Sequence, residues 1–387
     1  MKIMMAYFEN LSGLTGGLER TLCRLSNELH KRGHDVSIIT YDENNGLPYY
    51  PLDSTIKLIN LKSQKSHNDM TLLQKLGREW ARLRGKKSFS NWKEKQRSEI
   101  ISNIKAVYDE IKPDVILAYN YQTMGELFRA NIKTHVIALF RNDPDQLCPK
   151  MTDIELKSIN SADAIQVLLP VYVDTIKKYI SNDNVFCIPN AIEQCNLLVN
   201  LNQHQAPFTL LNVGRINRKQ KRQMMLLMAF NQISKEFPDW QLKFWGDGDK
   251  NYKKSLEEFI EKNKLQKRAF LMGKTHKIME EYQSADIFCF PSRYEGFPNA
   301  LGEAMTSGLP PIVCRDCLSC RSLIEDQKDG VISEGTVDGL ANSMRYLMSN
   351  PNIREQIGQN AHKKMEKFEP GHIWDMWEDL ISHVSEK

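Results

Sequence analysis

Short apolar runs alternate with amphipathic helical stretches along almost the whole chain. In the first half the strand-like runs are residues 3–8, 36–41, 115–119, 136–140, 164–168 and 185–188. Between the first two, Leu18, Leu22, Leu25 and Leu29 fall on one helical face, and Gly33 ends that helix. A second series follows, with strands at 209–213, 241–245, 269–272, 287–290 and 311–314. Leu340, Met344 and Leu347 then share one helix face, and a last helix near 373–384 carries Trp374, Trp377 and Leu380. Strands alternating with helices predict parallel sheets joined by crossover helices. The fold class is α/β: two doubly wound, Rossmann-like domains facing each other across a cleft.

Length agrees with that count, since 387 residues suit two domains of about 150–200 residues better than one core. Residues 190–207 lack periodicity, are rich in Asn and Gln, and end in Pro207, which marks the boundary. The expected organisation is a first domain over 1–190, a linker over 191–207, and a second domain over 208–368. A helix over 369–387 is expected to pack back towards the first domain. The chain is 41% hydrophobic and 26% charged, as ordinary soluble proteins are. No apolar run reaches the roughly 20 residues of a membrane-spanning helix. The amino terminus is too short an apolar stretch for a signal peptide and reads as a first strand, so a cytoplasmic protein with its eight cysteines reduced is expected.

Charge changes the picture in one place. Residues 62–97 carry eleven Lys/Arg against three acids, a local net charge of +8. Within this stretch Leu72, Leu73, Leu76, Trp80 and Leu83 recur at helical spacing. Such a helix can lie on an anionic membrane surface through residues 72–97, or it can pack its apolar stripe on its own domain. Without a nucleic-acid-binding module around it, nucleic acid is not expected as a partner.

The candidate chemistry sits at strand ends, where doubly wound sheets bind ligands. Gly16 and Gly17 open the first helix and permit close backbone approach. Gly214 and Arg215 end a strand, and Arg218, Lys219, Lys221 and Arg222 follow. Cations there suit a diphosphate, although a solvated basic turn has the same composition. The segment 291–310 places Glu295 and Glu303 across a turn and the start of a helix, with Pro298 expected at the first helical position and Gly308 as its stop. Two carboxylates flanking a helix amino terminus suit a phosphate between two hydroxyl-rich groups, as in a nucleotide sugar. Asp247 with Asp249, and Asp143 with Asp145, form D-x-D pairs that can hold a divalent cation. The glycines around Asp247 argue for a tight turn instead, and no essential metal or other cofactor is expected. Cys314, Cys317 and Cys320 are spaced like metal ligands but lack an evident fourth, so packing is the expectation. His30 and His34 read as cations at a helix end.

Taken in order, Gly16-Gly17-Leu-Glu-Arg20, Lys31-Arg-Gly-His34, Ile188-Pro-Asn-Ala-Ile192, Val213-Gly-Arg215, Lys221-Arg222, Gly246-Asp-Gly248 and Glu295-Gly-Phe-Pro-Asn299 with Glu303 resemble bacterial family-4 glycosyltransferases of the GT-B fold. The likeness runs over nearly the whole chain. It implies retaining transfer of a hexose or N-acetylhexosamine from a nucleotide sugar, with UDP as the carrier expected ahead of GDP. The acceptor is expected to be a lipid-linked surface glycan, met peripherally at the inner face of the cell membrane. By this resemblance Arg215 and Lys221 hold the diphosphate and stabilise the leaving group, Glu303 binds the ribose, and Glu295 binds the transferred sugar. Gly296, Phe297, Asn299, Ala300 and Leu301 line the donor, and Gly16 and Gly17 meet its phosphates. Two departures stand out. Many members place a histidine after the third or fourth strand of the first domain, whereas this chain reads Tyr119-Asn-Tyr121 and Arg141-Asn-Asp143. Arg141 and Asp143 become the acceptor-side candidates, and no general base is evident. The interval from Arg215 to Lys221 is also one residue longer than usual, which makes Lys219 a rival. A UDP-sugar 2-epimerase on the same fold and a non-catalytic glycan-binding protein are the alternatives.

Overall fold

The computed structural model describes residues 1–62, 88–195, 198–201 and 203–386. They form two compact units, Met1–Ile188 with Trp374–Lys387, and Pro189–Ile373.

The first unit is built on a seven-stranded parallel sheet of order β3-β2-β1-β4-β5-β6-β7. Its strands are β1 (Lys2–Tyr7), β2 (Asp35–Thr40), β3 (Lys57–Asn60), β4 (Val115–Ala118), β5 (His135–Leu139), β6 (Ala164–Val167) and β7 (Val185–Cys187). β1 is buried on both faces from Ile3 to Tyr7, which is why it reads as a continuous apolar run rather than an alternating one. The helix Gly17–Lys31 buries Leu22, Cys23, Leu25 and Leu29 along one side. Each of those leucines contributes roughly 1.5–3 kcal/mol of transfer free energy. β1 lies between β2 and β4, so the chain reverses its direction of travel there. Loops leaving β1 and β4 therefore diverge at the carboxyl edge and leave a crevice.

The second unit repeats the scheme with six parallel strands in the order β10-β9-β8-β11-β12-β13. These are β8 (Phe208–Val213), β9 (Trp240–Trp245), β10 (Ala269–Gly273), β11 (Ile287–Phe290), β12 (Pro311–Cys314) and β13 (Val331–Ser333). The reversal falls between β8 and β11, paired through Leu210 with Ile287 and Leu211 with Phe288.

Two strands were not expected, β3 and β13, and each closes an edge of its sheet. They are four and three residues long, and polar or charged residues end both, so neither makes an apolar run. Residues 191–207, expected as a linker, group with the second unit, as do residues 189 and 190, expected in the first domain. Ile192 N–H donates to the Phe368 carbonyl, and Asn190 Nδ2 donates to Asn299 Oδ1 at 2.9 Å. His34 lies beyond the helix end and is buried, with Nε2 2.9 Å from Glu378 Oε1 on the last helix (Pro370–Ser385). It ties the closing helix to the first unit from beyond the end of the helix at Lys31. The amphipathic pattern of residues 72–83 lies outside the described residues, as do the side chains of 88–97. Among the described residues no helix is long and apolar enough to cross a membrane.

Candidate active site

In the second unit, two strand-end loops are pressed together by close backbone approach. Gly214 N–H donates to the Trp245 carbonyl, Ile216 N–H to Asp247, and Asp249 N–H to Ile216. A Cβ on Gly246, whose φ is +133°, would stand 2.1 Å from the Gly214 oxygen, and one on Gly248 would stand 2.3 Å from the Ile216 oxygen. Glycine is required at both places for steric reasons alone. Asp249 has a structural role, its carboxylate accepting the N–H groups of Asn251 and Tyr252 at the start of the helix Lys250–Lys262.

Beyond Gly214 the loop turns at Asn217, whose carbonyl accepts the N–H groups of both Lys221 and Arg222. The turn sends the Lys221 side chain back over Gly214, to 3.5 Å from where a Cβ would be. Its ammonium reaches Glu295 Oε1 at 2.6 Å and sits 4.6 Å from the centre of the Phe290 ring. Lys221, not Lys219, is the lysine brought to Glu295, and Lys219 and Arg215 are exposed. Gln220 donates to the Tyr294 carbonyl and, at 3.4 Å, to Glu295 Oε2. Arg222, held at φ +51°, donates to the carbonyls of Pro291 and Ser292 and grips Asp316 with two bonds of 2.7 Å. It fastens the β8 loop to the β11 loop, which is a positioning role.

Glu295 and Glu303 are each only 8% exposed, so burial makes both charges consequential. The buried Tyr282 hydroxyl donates to Glu303 Oε2 at 3.1 Å. The intervening helix is Asn299–Thr306, and Pro298 caps it rather than occupying its first position. Gly308, at φ +81°, stops it as expected. Of the N–H groups expected to line a ligand, those of Asn299 and Leu301 already donate to the carbonyls of Phe297 and Pro298. Among the described residues, those of Gly296, Phe297 and Ala300 make no such bond. Phe297 packs edge-on against Phe368, and Ile192 fills the space over Gly302.

In the first unit a cavity of about 300 Å³ opens at the carboxyl edge, where β1, β4 and β5 end. Glu9, Tyr119, Asn120, Tyr121, Arg141 and Asn142 are among its lining residues. The Arg141 guanidinium lies 5.6 Å from the centre of the Tyr119 ring, and burial lowers its pKa. Asn120 Nδ2 donates to Glu9 Oε1 at 3.0 Å. Although Glu9 is exposed as a residue, its carboxyl is partly desolvated, and this burial together with the Glu19 charge raises its pKa. Glu19 itself is buried and accepts from the Tyr7 hydroxyl at 3.2 Å. Asp143 is not one of the residues lining the cavity: it is buried and caps the short helix Pro144–Leu147 by accepting Asp145 N–H. Burial raises its pKa. Gly16 caps the helix Gly17–Lys31 with Gly17 as its first residue.

Both units are thus parallel α/β sheets with polar groups gathered at a strand-order reversal. A family described as Glycosyltransferase Family 4 matches residues 15–194, and one described as Glycosyl transferases group 1 matches residues 198–364. The chain belongs to these glycosyltransferases. An uncharacterized glycosyltransferase of Haemophilus influenzae is 23% identical over 95% of this chain and 97% of its own. A Campylobacter jejuni protein is 25% identical over 96% of each; its name is GalNAc-alpha-(1->4)-GalNAc-alpha-(1->3)-diNAcBac-PP-undecaprenol alpha-1,4-N-acetyl-D-galactosaminyltransferase. Anabaena HepE, solved in complex with UDP and glucose, covers 99% of both chains at a TM-score of 0.75 and 17% identity. That likeness concerns the fold, which is GT-B.

Several residues of the glycosyltransferase escaped the sequence reading. Tyr282 and Gln220 buttress the named site residues from other positions, and only the fold brings them together; Asn190, quoted in a motif but given no role, holds Asn299. Glu9 had a usable signal: it is a carboxylate just past the first strand, at the switch point. Among the described residues no group of three or more His, Cys, Asp or Glu is placed to hold a metal ion.

Proposed function

We propose that this glycosyltransferase is retaining, and that it moves a hexose or N-acetylhexosamine from a UDP-sugar to a lipid-linked glycan during surface polysaccharide synthesis. The observation that carries the donor half is the Lys221–Glu295 pair at 2.6 Å, set at the reversal of the second sheet with Glu303 one helix start away. A diphosphate would take Lys221 and the exposed Arg215 as counter-charges. Glu295 would then be released to the sugar hydroxyls and Glu303 would accept from the ribose. Fixed cations facing the departing UDP stabilise the negative charge that develops on it. The leaving phosphate oxygen takes the acceptor proton, so no separate base is needed for retention.

The acceptor half draws support from the cavity of the first unit. Aromatic faces beside amide and charged groups suit a sugar ring, which is apolar on its faces and hydroxylated at its rim. In this reading Arg141 lies on the acceptor side and Asp143 holds the loop behind it. A lipid-linked acceptor is favoured by the undecaprenol-linked substrate named for the Campylobacter relative and by the basic composition of residues 62–97. Such an acceptor would bring the enzyme to the inner membrane face as a peripheral protein.

One panel tests the proposal. Purified protein is incubated with UDP- and GDP-sugars, with and without membrane lipid extract, and free nucleotide and glycolipid are measured. Acceptor-dependent UDP release with an α-linked product from an α-linked donor is expected. Donor isomerisation without release would replace the proposal with an epimerase, and binding without either would replace it with a glycan-binding protein.

A further inference from the structure

Four cysteines lie buried in the second unit, and the catalytic reading uses none of them. Two form an unusual pair. Cys317 stands just before the helix Leu318–Leu323 and Cys320 lies one turn in, so their side chains share a face. Their sulfurs are 3.0 Å apart, and Ser319 Oγ is 3.5 Å from Cys317 Sγ. A disulfide needs a sulfur separation of about 2.05 Å, so closing the bond requires a shift of only ~1 Å.

The pair is not remote from the donor site. Asp316, the residue before Cys317, is the carboxylate that Arg222 grips with two bonds of 2.7 Å. Arg222 follows Lys221 in the chain and also holds the carbonyls of Pro291 and Ser292, in the loop that leads to Glu295. The charge of Glu295 acts on both thiols, and that of Lys221 acts on Cys320. A displacement at Cys317 therefore passes through one bidentate ion pair to both sides of the Lys221–Glu295 contact.

We infer that Cys317 and Cys320 are a redox modification site, closed to a disulfide by a hydroperoxide, and that closure weakens the donor site through Asp316 and Arg222. The coupling rests on the donor-site reading above; the disulfide itself does not. The roles of the two sulfurs differ. The hydrogen bond between the two sulfurs, helped by Ser319, holds the Cys317 thiol below its ordinary range, while burial holds Cys320 well above its own. Cys317 is then the nucleophile; both sulfurs are buried, so the oxidant is a small hydroperoxide that meets the pair during local opening. Its thiolate attacks one oxygen of the hydroperoxide, the O–O bond breaks, and the departing alkoxide takes up the proton that Cys317 has lost. The sulfenic acid left on Cys317 is attacked by Cys320, which forms the S–S bond and expels hydroxide, and the Cys320 proton converts that hydroxide to water. The two thiols lose two electrons and the peroxide gains them. Cys314 is an internal control, because burial pushes its thiol up to about 12.

The test uses the full chain, treated with hydrogen peroxide, alkylated and mapped by mass spectrometry. The peptide holding Cys317 and Cys320 is expected to lose two hydrogens and regain them with dithiothreitol, while Cys314 remains a free thiol. UDP affinity of the oxidised form should fall by on the order of tenfold to a hundredfold, the effect of losing one hydrogen bond to a charged group. Faster hydrogen exchange at residues 220–222 and 291–295 should accompany it, a readout that survives if UDP is not the ligand. C320S should trap a sulfenic acid on Cys317 that dimedone captures, and C317S should make UDP affinity insensitive to peroxide. If C320S fails to fold, wild type and C317S still decide. No disulfide under conditions that oxidise a free thiol, or a disulfide with unchanged affinity and exchange, would overturn the inference. Absence of UDP binding to the reduced protein would instead count against the donor-site reading.

Discussion

The two units share an architecture and differ in how their polar edges are built. In the second, the groups at the strand-order reversal are charged and mutually fastened: Lys221 to Glu295, Arg222 to Asp316, and Tyr282 to Glu303. In the first, the corresponding edge is a cavity walled by aromatic rings, with Arg141 against Tyr119 and Glu9 against Asn120. The difference matches what each would hold. A diphosphate is the same in every donor of a class and rewards fixed charges at fixed spacing. An acceptor sugar varies, and shape with a few hydrogen bonds decides its fit.

The largest expected effects lie in the second unit. Glu295→Ala and Lys221→Ala should each lower kcat by on the order of 100-fold or more, as loss of a fixed transition-state charge does. Steady-state rates with a UDP-sugar check this; a comparable loss in Lys219→Ala with Lys221→Ala unaffected would move the site. Glu303→Ala should act more on the donor KM, raising it about 10–100-fold, which corresponds to a charged hydrogen bond of about 1.5–3 kcal/mol. Tyr282→Phe should shift the same constant in the same direction by less.

The first unit should respond through the acceptor alone. Glu9→Gln is expected to raise the acceptor KM by roughly tenfold, the size of one hydrogen bond to a charged group, and to leave the donor KM in place. The Glu9 carboxyl titrates above its ordinary 4.5, so wild-type activity at subsaturating acceptor should fall as pH drops through that raised value. The variant should lose this inflection, and an identical pH profile would remove Glu9 from the acceptor side.

The fold was legible because parallel strands buried on both faces make apolar runs, and β1, β11 and β12 all do so past their first residues. The edge strands β3 and β13 were not, being four and three residues long and ending in Asn60 and Ser333. In the second unit Lys221 and Glu295 lie in loops that follow the strands β8 and β11, and Glu303 lies in the helix after β11, so their place behind those strands singles them out along the chain. Gln220 and Tyr282 reach the same carboxylates from positions with no fixed spacing, and nothing short of the fold unites them. The edge of the first unit lacked such a signature, and there Asp143 was singled out for its neighbours in the chain, although its side chain caps a helix.

The smallest expected effect is on stability, in the loop leading to Gly16. Asp42 is buried and accepts the N–H groups of Leu11, Ser12 and Asn44 and the Ser12 hydroxyl. Burial alone would raise its pKa, but these bonds outweigh it and the net shift is downward. Its contribution is therefore complete above the unfolded value of 3.8 and is lost as pH falls through the lower folded value. Asp42→Asn should cost about 1–3 kcal/mol at neutral pH, read from the denaturant midpoint, and less as the medium becomes acid.

The division of labour between the two edges can be measured directly by calorimetric titration of UDP into wild type, Glu303→Ala and Glu9→Gln. The account predicts binding by wild type, a loss of about tenfold or more in Glu303→Ala, and unchanged affinity in Glu9→Gln. Equal affinity in Glu303→Ala and wild type, or loss of UDP binding in Glu9→Gln, would contradict it.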